Sequence, residues 1–258
     1  MKCEGLTLAS PVGLSPGGLP WCSTKLWAWL TKTWRILMAW SLRAQTESMS
    51  HAAVLLAGGK SSRMGRDKSA LPVNGEPLWQ RQLTVLRATD PAELFISGKS
   101  EGPYADCGVE ILADEIPGCG PLGGIATALR RCTGDMLLVL AVDMPAMTAE
   151  FLRSLVEESQ RTAMGVVPSV AALVRARAHT SPAERDARTQ LEPLAAIYPR
   201  AALAIADECL RDGERKLEPF IRKLEAQGIA IIRPIEAGQA ALFTNWNSPE
   251  DVPSPQTE

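Results

Sequence analysis

Leu55-Leu56-Ala57-Gly58-Gly59-Lys60-Ser61-Ser62-Arg63-Met64-Gly65-Arg66-Asp67-Lys68 is the stretch where the chain passes from a buried strand into a loop suited to anions. Residues 52–57 form a short apolar run, as expected of a strand covered on both faces. The run breaks at two glycines. Lys60, Arg63, Arg66 and Lys68 follow, opposed only by Asp67. Glycine lets backbone N–H groups come close to an anion, and the cations supply charge for polyphosphate oxygens. A Walker P-loop through Gly59-Lys60-Ser61 would need a glycine at position 54, where Val54 stands. Nothing after Gly58-Gly59 keeps the G-x-G-x-x-G spacing either. The competing reading is a Gly-rich strand-to-helix turn with solvated charges, and the rest of the chain has to decide.

Downstream, short apolar runs alternate with amphipathic segments. Residues 71–78 contain Val73-Asn74-Gly75-Glu76, an Asn-Gly turn signal. Helices are expected at 79–88, from Gly120-Pro121-Leu122-Gly123-Gly124 through 129, and at 149–160, 201–211 and 216–227. Strands are expected at 94–97, 109–113, 136–142, 194–198 and 229–232. Strands separated by helices of this length indicate βαβ units. The fold class is therefore α/β: a three-layer, Rossmann-like arrangement with a mostly parallel sheet and helices on both faces. Gly58, Asp114 and Asp143 then all fall at carboxyl ends of strands, where open α/β sheets bind ligands. Residues 170–190 turn irregular and carry Arg175, Arg177, Arg185 and Arg188, either as a mobile segment near a site or as a solvated insertion.

Composition narrows the partners. Of 258 residues 46% are hydrophobic, enough for a proper core, and the formal net charge is −2. Residues 1–49 hold five Lys/Arg against two Asp/Glu, so the cationic loop lies within an acidic body. That favours a local ligand site over a nucleic-acid surface. The six cysteines have no C-x-x-C spacing, which argues against zinc or a disulfide framework and suits a reducing cytoplasm. With only His51 and His179, histidine-based chemistry has little material. Residues 1–49 contain five of the seven tryptophans and are read as an extension ahead of a domain at 50–258. This extension is poorly ordered, or left untranslated before Met49, or a basic helix lying on a membrane surface. Membrane association is expected only in the last case.

Five segments together resemble one family, the molybdenum-cofactor guanylyltransferases. They are the glycine-rich run through Arg63-Met64-Gly65-Arg66-Asp67-Lys68; Gly120-Pro121-Leu122-Gly123-Gly124; Val142-Asp143-Met144-Pro145; Glu192-Pro193-Leu194-Ala195; and Phe243-Thr244-Asn245-Trp246-Asn247-Ser248-Pro249-Glu250. The resemblance covers roughly residues 51–251 and implies a nucleotide-diphospho-sugar-transferase-like fold. It also implies transfer of GMP from GTP to the terminal phosphate of molybdopterin, with Mg²⁺ as cofactor and pyrophosphate released.

The resemblance further implies a site. Leu56, Ala57, Gly58 and Gly59 would meet the nucleotide through the backbone, Lys68 and Arg63 would balance its phosphates, Asp114 would hold the nucleoside, and Asp143 would ligate Mg²⁺. Gly120 and Gly123 would line the site or else serve helix–sheet packing. Asn245 or Asn247 would complete the metal's shell or else cap a helix at Ser248-Pro249. Gly58-Gly59, in place of the Ala-Gly of similar cytidylyltransferases, favours GTP. The family's nucleoside-binding asparagine has no counterpart around residues 96–97, and residues 170–190 lie where pterin recognition would be expected. Molybdoenzyme apoproteins or cofactor-biosynthesis proteins are the implied macromolecular partners. Cytidylyl transfer to molybdopterin, nucleotidyl transfer to a sugar phosphate, and a silent nucleotide sensor are the alternatives.

Overall fold

The structure, a computed structural model, describes residues 49–58, 68–73, 75–115, 118–170 and 190–246. The Trp-rich extension up to residue 48, Gly59, Lys60, Arg63, Arg66, Arg175, Arg177, Arg185, Arg188 and Asn247 lie outside the described residues.

The chain runs β1 (His51–Leu56), a 3-10 turn (Lys68–Ala70), a small hairpin of β2 (Pro72–Val73) and β3 (Glu76–Pro77), then α1 (Leu78–Arg87), β4 (Glu93–Ser97) and β5 (Glu110–Leu112). It continues through α2 (Gly120–Arg131), β6 (Met136–Ala141), α3 (Ala149–Thr162), β7 (Gly165–Val170) and β8 (Gln190–Leu191). β9 (Ala195–Pro199), α4 (Ala202–Arg211), α5 (Leu217–Ala226), β10 (Ala230–Pro234) and a 3-10 helix (Ala237–Phe243) complete it. The expected hairpin turn is present, with Gly75 at φ 84°, a backbone region that glycine enters without steric cost.

The main sheet has the order β10-β7-β9-β6-β1-β4-β5, with β8 paired to β7. β6, β1, β4 and β5 are mutually parallel. Every residue of β1 and of β6 is buried, because helices cover both faces. Alternate side chains of β1 supply two cores. Ala52, Val54 and Leu56 pack with Leu122, Ile125 and Leu129 of α2 and with Ile205 and Phe220 of α4 and α5. Ala53 and Leu55 pack with Leu78, Leu83 and Leu86 of α1 and with Phe151, Leu152 and Leu155 of α3. These are the three layers that the alternation of strands and helices predicts.

Connectivity also creates a topological switch point. From β1 the chain steps to β4 and β5 on one side, then returns through α2 to β6 on the other side of β1. The strand order reverses between β1 and β6, and such switch points open a crevice at the carboxyl ends of the strands.

Among the departures from the sequence expectation, two concern inner strands of the sheet. β7 is absent from that expectation; its Gly-Val-Val-Pro-Ser-Val contains Gly165 and Pro168, residue types that normally interrupt strands. The structure accommodates both. A Cβ on residue 165 would lie 2.9 Å from the Ile197 carbonyl oxygen and 3.1 Å from Ala230 Cβ, so only glycine passes there. Pro168 sits where the partner of β7 changes from β9 to β8, and its carbonyl accepts from the Glu192 amide at 2.8 Å. β9 runs antiparallel to both β6 and β7, so the strand expected at 194–198 lies in the sheet in the opposite sense to its neighbours.

Candidate active site

Three sequence-derived residues reach one edge of the sheet. Gly58 lies two residues beyond β1, Asp114 two beyond β5 and Asp143 two beyond β6. A hydrogen-bonded relay joins these strand ends. The Ser97 hydroxyl, at the last residue of β4, faces Asp114 Oδ1 at 3.4 Å. The Ser97 carbonyl accepts from the amides of Ala57 at 2.9 Å and Gly58 at 3.0 Å. The carbonyl of Leu56 accepts from the Val142 amide at 3.1 Å, beside Asp143. The amides of Ala57 and Gly58 are thus engaged by the protein itself.

Gly58 is exposed, and a Cβ there would meet Ser97 and Gly98 only at 3.7 Å, ordinary contact distance. Among the described residues no neighbour demands glycine at 58. Gly124 is the contrary case. A Cβ there would stand 2.6 Å from Ser97 Oγ and 3.2 Å from Leu56 Cδ2, so this glycine serves close approach of α2 to the sheet. Gly123 is buried in α2, whereas Gly120 is exposed with φ 63° and opens the helix. Pro121 occupies the first turn and Cys119 offers no side-chain cap, so the leading amides of α2 have no side-chain partner at that cap.

Asp114 is exposed, yet partial desolvation raises its carboxyl above the ordinary range, opposed by the Ser97 hydroxyl, which lowers it. Asp143 is half-buried, and its carbonyl accepts from the Trp246 amide at 2.9 Å. That bond brings the segment after the last 3-10 helix against the β6 terminus. Asn245 therefore neighbours Asp143 through the backbone, and its Oδ1 is buried with no hydrogen-bond partner among the described residues. Lys68 opens the 3-10 turn that precedes the hairpin. His51 is at the opposite end of β1, hydrogen-bonded to Thr89 at 3.2 Å, and its pKa is lowered by burial.

Ser97, Gln82, Arg81 and the Trp246 amide were not singled out in the sequence. A serine closing an apolar strand at the ligand edge was the available signal for Ser97. A glutamine inside the apolar stripe of α1 was the signal for Gln82.

The profile of the family described as the MobA-like NTP transferase domain matches residues 53–228. The chain belongs to the MobA-like NTP transferase family. It is 37% identical over 203 residues to a probable molybdenum cofactor guanylyltransferase of Opitutus terrae, covering 78% of this chain and 92% of that protein. A probable molybdenum cofactor guanylyltransferase of Methanothermobacter thermautotrophicus is 34% identical over 212 residues, covering 78% of this chain and 96% of its own. Among solved structures, the molybdopterin-guanine dinucleotide biosynthesis protein A of Archaeoglobus fulgidus shares the fold. Its TM-score is 0.58 at 23% identity, over 78% of this MobA-like chain and 94% of the other. Among the described residues no helix is long and apolar enough to cross a membrane.

Proposed function

We propose that this MobA-like NTP transferase moves the GMP of GTP onto the terminal phosphate of molybdopterin, yielding the guanine dinucleotide and pyrophosphate. The observation that carries the reading is the relay from Asp114 through Ser97 and the Ala57-Gly58 turn to Leu56 and the Asp143 loop. It brings Asp114, Gly58 and Asp143 to one edge of the sheet, where the reading needs an acid for the nucleoside, a glycine turn and a second acid. The named activity of the relatives supplies the substrates.

The chemistry suits this chain. A phosphate oxygen of the acceptor attacks the α-phosphorus while the bond to the bridging oxygen of pyrophosphate breaks. The nucleophile is already anionic, so no strong general base is required, in keeping with a histidine placed at the far end of β1. The obstacles are repulsion between anions and charge building on the leaving group. Positioning and electrostatic stabilisation therefore carry the rate. Lys68 and Arg63 are assigned to the phosphates, and Asp114 with the Gly58 turn to the nucleoside.

Mg²⁺ fits the donors at the β6 terminus. Magnesium takes oxygen ligands, commonly one or two carboxylates completed by substrate phosphates and water. Asp143 offers a carboxylate, and Asn245 Oδ1 is a buried amide oxygen lacking a hydrogen-bond partner among the described residues. Among the described residues no cluster of three His, Cys, Asp or Glu could hold a metal, so a soft or fully protein-ligated site is not supported there. Asp143 and Asn245 would hold the ion, which supplies charge neutralisation of the triphosphate when bound. Asn247 is a further candidate for the same shell.

Incubation of the purified protein with Mg²⁺, labelled GTP and molybdopterin, followed by mass analysis of the extracted pterin, tests the proposal. The guanine dinucleotide with stoichiometric pyrophosphate is the expected product. A product formed from CTP in preference to GTP, or no dinucleotide with either, sinks it.

A further inference from the structure

We propose that Gln82 and Arg81 of α1 are positioning residues for Asp143, acting through the backbone of the loop that carries it; this rests on the metal role assigned to Asp143. Three consecutive carbonyls at that loop are held from outside it. The Asp143 carbonyl accepts from the Trp246 amide at 2.9 Å. The Met144 carbonyl accepts from Gln82 Nε2, and the Pro145 carbonyl from Arg81 Nε at 3.0 Å. Three successive peptide planes are pinned in this way, and the backbone following the carboxylate loses most of its freedom. A strand-end turn held only by its own bonds would let a carboxylate drift, and small misplacements near reacting groups are costly in rate.

Gln82 is otherwise hard to explain. It is fully buried, on the stripe of α1 formed by Leu78, Gln82, Leu83 and Leu86, where helix periodicity calls for an apolar side chain. Its Oε1 is buried with no hydrogen-bond partner among the described residues, an arrangement that costs folding free energy. The Met144 carbonyl does not need the glutamine for its own satisfaction, because the Met147 amide donates to it at 3.1 Å. Folding alone therefore favours an apolar residue at 82. The glutamine gains nothing there except a fixed loop.

That contrast gives a test which a purely structural role would fail. Gln82→Met removes the orphaned oxygen, leaves the Met144 carbonyl with its Met147 partner and conserves volume. Wild type and Gln82→Met are compared in three ways: the thermal midpoint without ligands, calorimetric titration of GTP at graded Mg²⁺, and steady-state turnover. The expected result is an unchanged or raised midpoint in Gln82→Met. With it goes an increase of about tenfold or more in the Mg²⁺ concentration that half-saturates GTP binding, the range typical when a group supporting a metal ligand is lost. GTP binding without Mg²⁺ should be unchanged within twofold. Arg81→Met should shift the Mg²⁺ requirement in the same direction.

A lowered midpoint for Gln82→Met, or a Mg²⁺ requirement within twofold of wild type, overturns the inference while leaving the guanylyltransfer reading intact. A wild-type protein that shows no Mg²⁺-dependent GTP binding overturns that reading, and the inference with it.

Discussion

Ser97 and Asp114 show at the residue scale how a site can oppose the stability of its own fold. The Asp114 carboxyl is raised by partial desolvation, so the folded state holds a proton more tightly than the unfolded chain. Its contribution to stability is present below the unfolded pKa and is lost as pH rises through the folded value. Asp114→Asn should therefore leave the thermal midpoint at pH 7 equal or higher, while KM for GTP rises. Because the Ser97 hydroxyl lowers that carboxyl, Ser97→Ala should move the acid limb of kcat/KM for GTP to higher pH; a limb that stays in place separates Asp114 from nucleotide binding. For Asp143→Ala the expected loss is larger, about 10²–10³ in rate or roughly 3–4 kcal/mol, with folding retained by circular dichroism. Near-normal turnover of that variant at saturating Mg²⁺ and GTP would remove the metal role from Asp143. The strand-end positions of the two acids were legible in the sequence because each follows an apolar run. Ser97 closes an apolar run too, but its bond to Asp114 depends on which strand end lies beside it, and that pairing is set by the sheet.

Among the elements, α2 sets how closely the helix layer approaches the site. Gly124 lets the helix rest against Leu56 and Ser97, where a Cβ would come within 2.6 Å of the serine hydroxyl. Gly124→Ala gains about 1 kcal/mol of helix propensity, yet forces Ser97 Oγ to rotate away from Asp114 or the helix to lift. The expected outcome is a raised KM for GTP, and non-additivity with Ser97→Ala, because the serine oxygen is the main obstruction. Thermal melts and KM measured over the double-mutant cycle check this; strictly additive effects would place the two residues in independent roles. Element positions were otherwise readable wherever one period dominated. Helices α1 to α5 and strands β1, β4, β5, β6 and β10 follow from apolar spacing to within a few residues. β7 was hidden because a proline and a glycine that normally end strands are here matched to a change of partner and to a narrow gap. The reversed sense of β9 cannot be read from a five-residue apolar run, because strand direction is decided by the connection and not by local pattern.

For the whole molecule, the two ends of β1 divide the labour, with Gly58 opening at one and buried His51 anchored on Thr89 at the other. Burial lowers the His51 pKa, so the unfolded state takes up the proton first as pH falls. Stability is full above the ordinary histidine value of about 6.5 and declines below it toward the folded pKa. Ligand linkage acts at the other end. A ligand that binds only the folded protein stabilises it by about 2.7 kcal/mol at a concentration one hundred times its Kd. For a domain of this size each kcal/mol raises the midpoint by roughly 2–4 °C. Mg²⁺ with GTP at that excess should therefore raise the midpoint by about 5–11 °C, with smaller shifts for CTP and UTP at equal concentration. The increment should depend on Mg²⁺ and should collapse in Asp143→Ala, while the decline below pH 6.5 persists in that variant, because the two effects arise at opposite ends of the same strand. Scanning fluorimetry over nucleotide, metal and pH separates them. A GTP shift that survives both chelation and the loss of Asp143 would mean that the nucleotide binds away from the β1–β6 crevice, and the acid at the end of β6 would then have to be assigned to the turn alone.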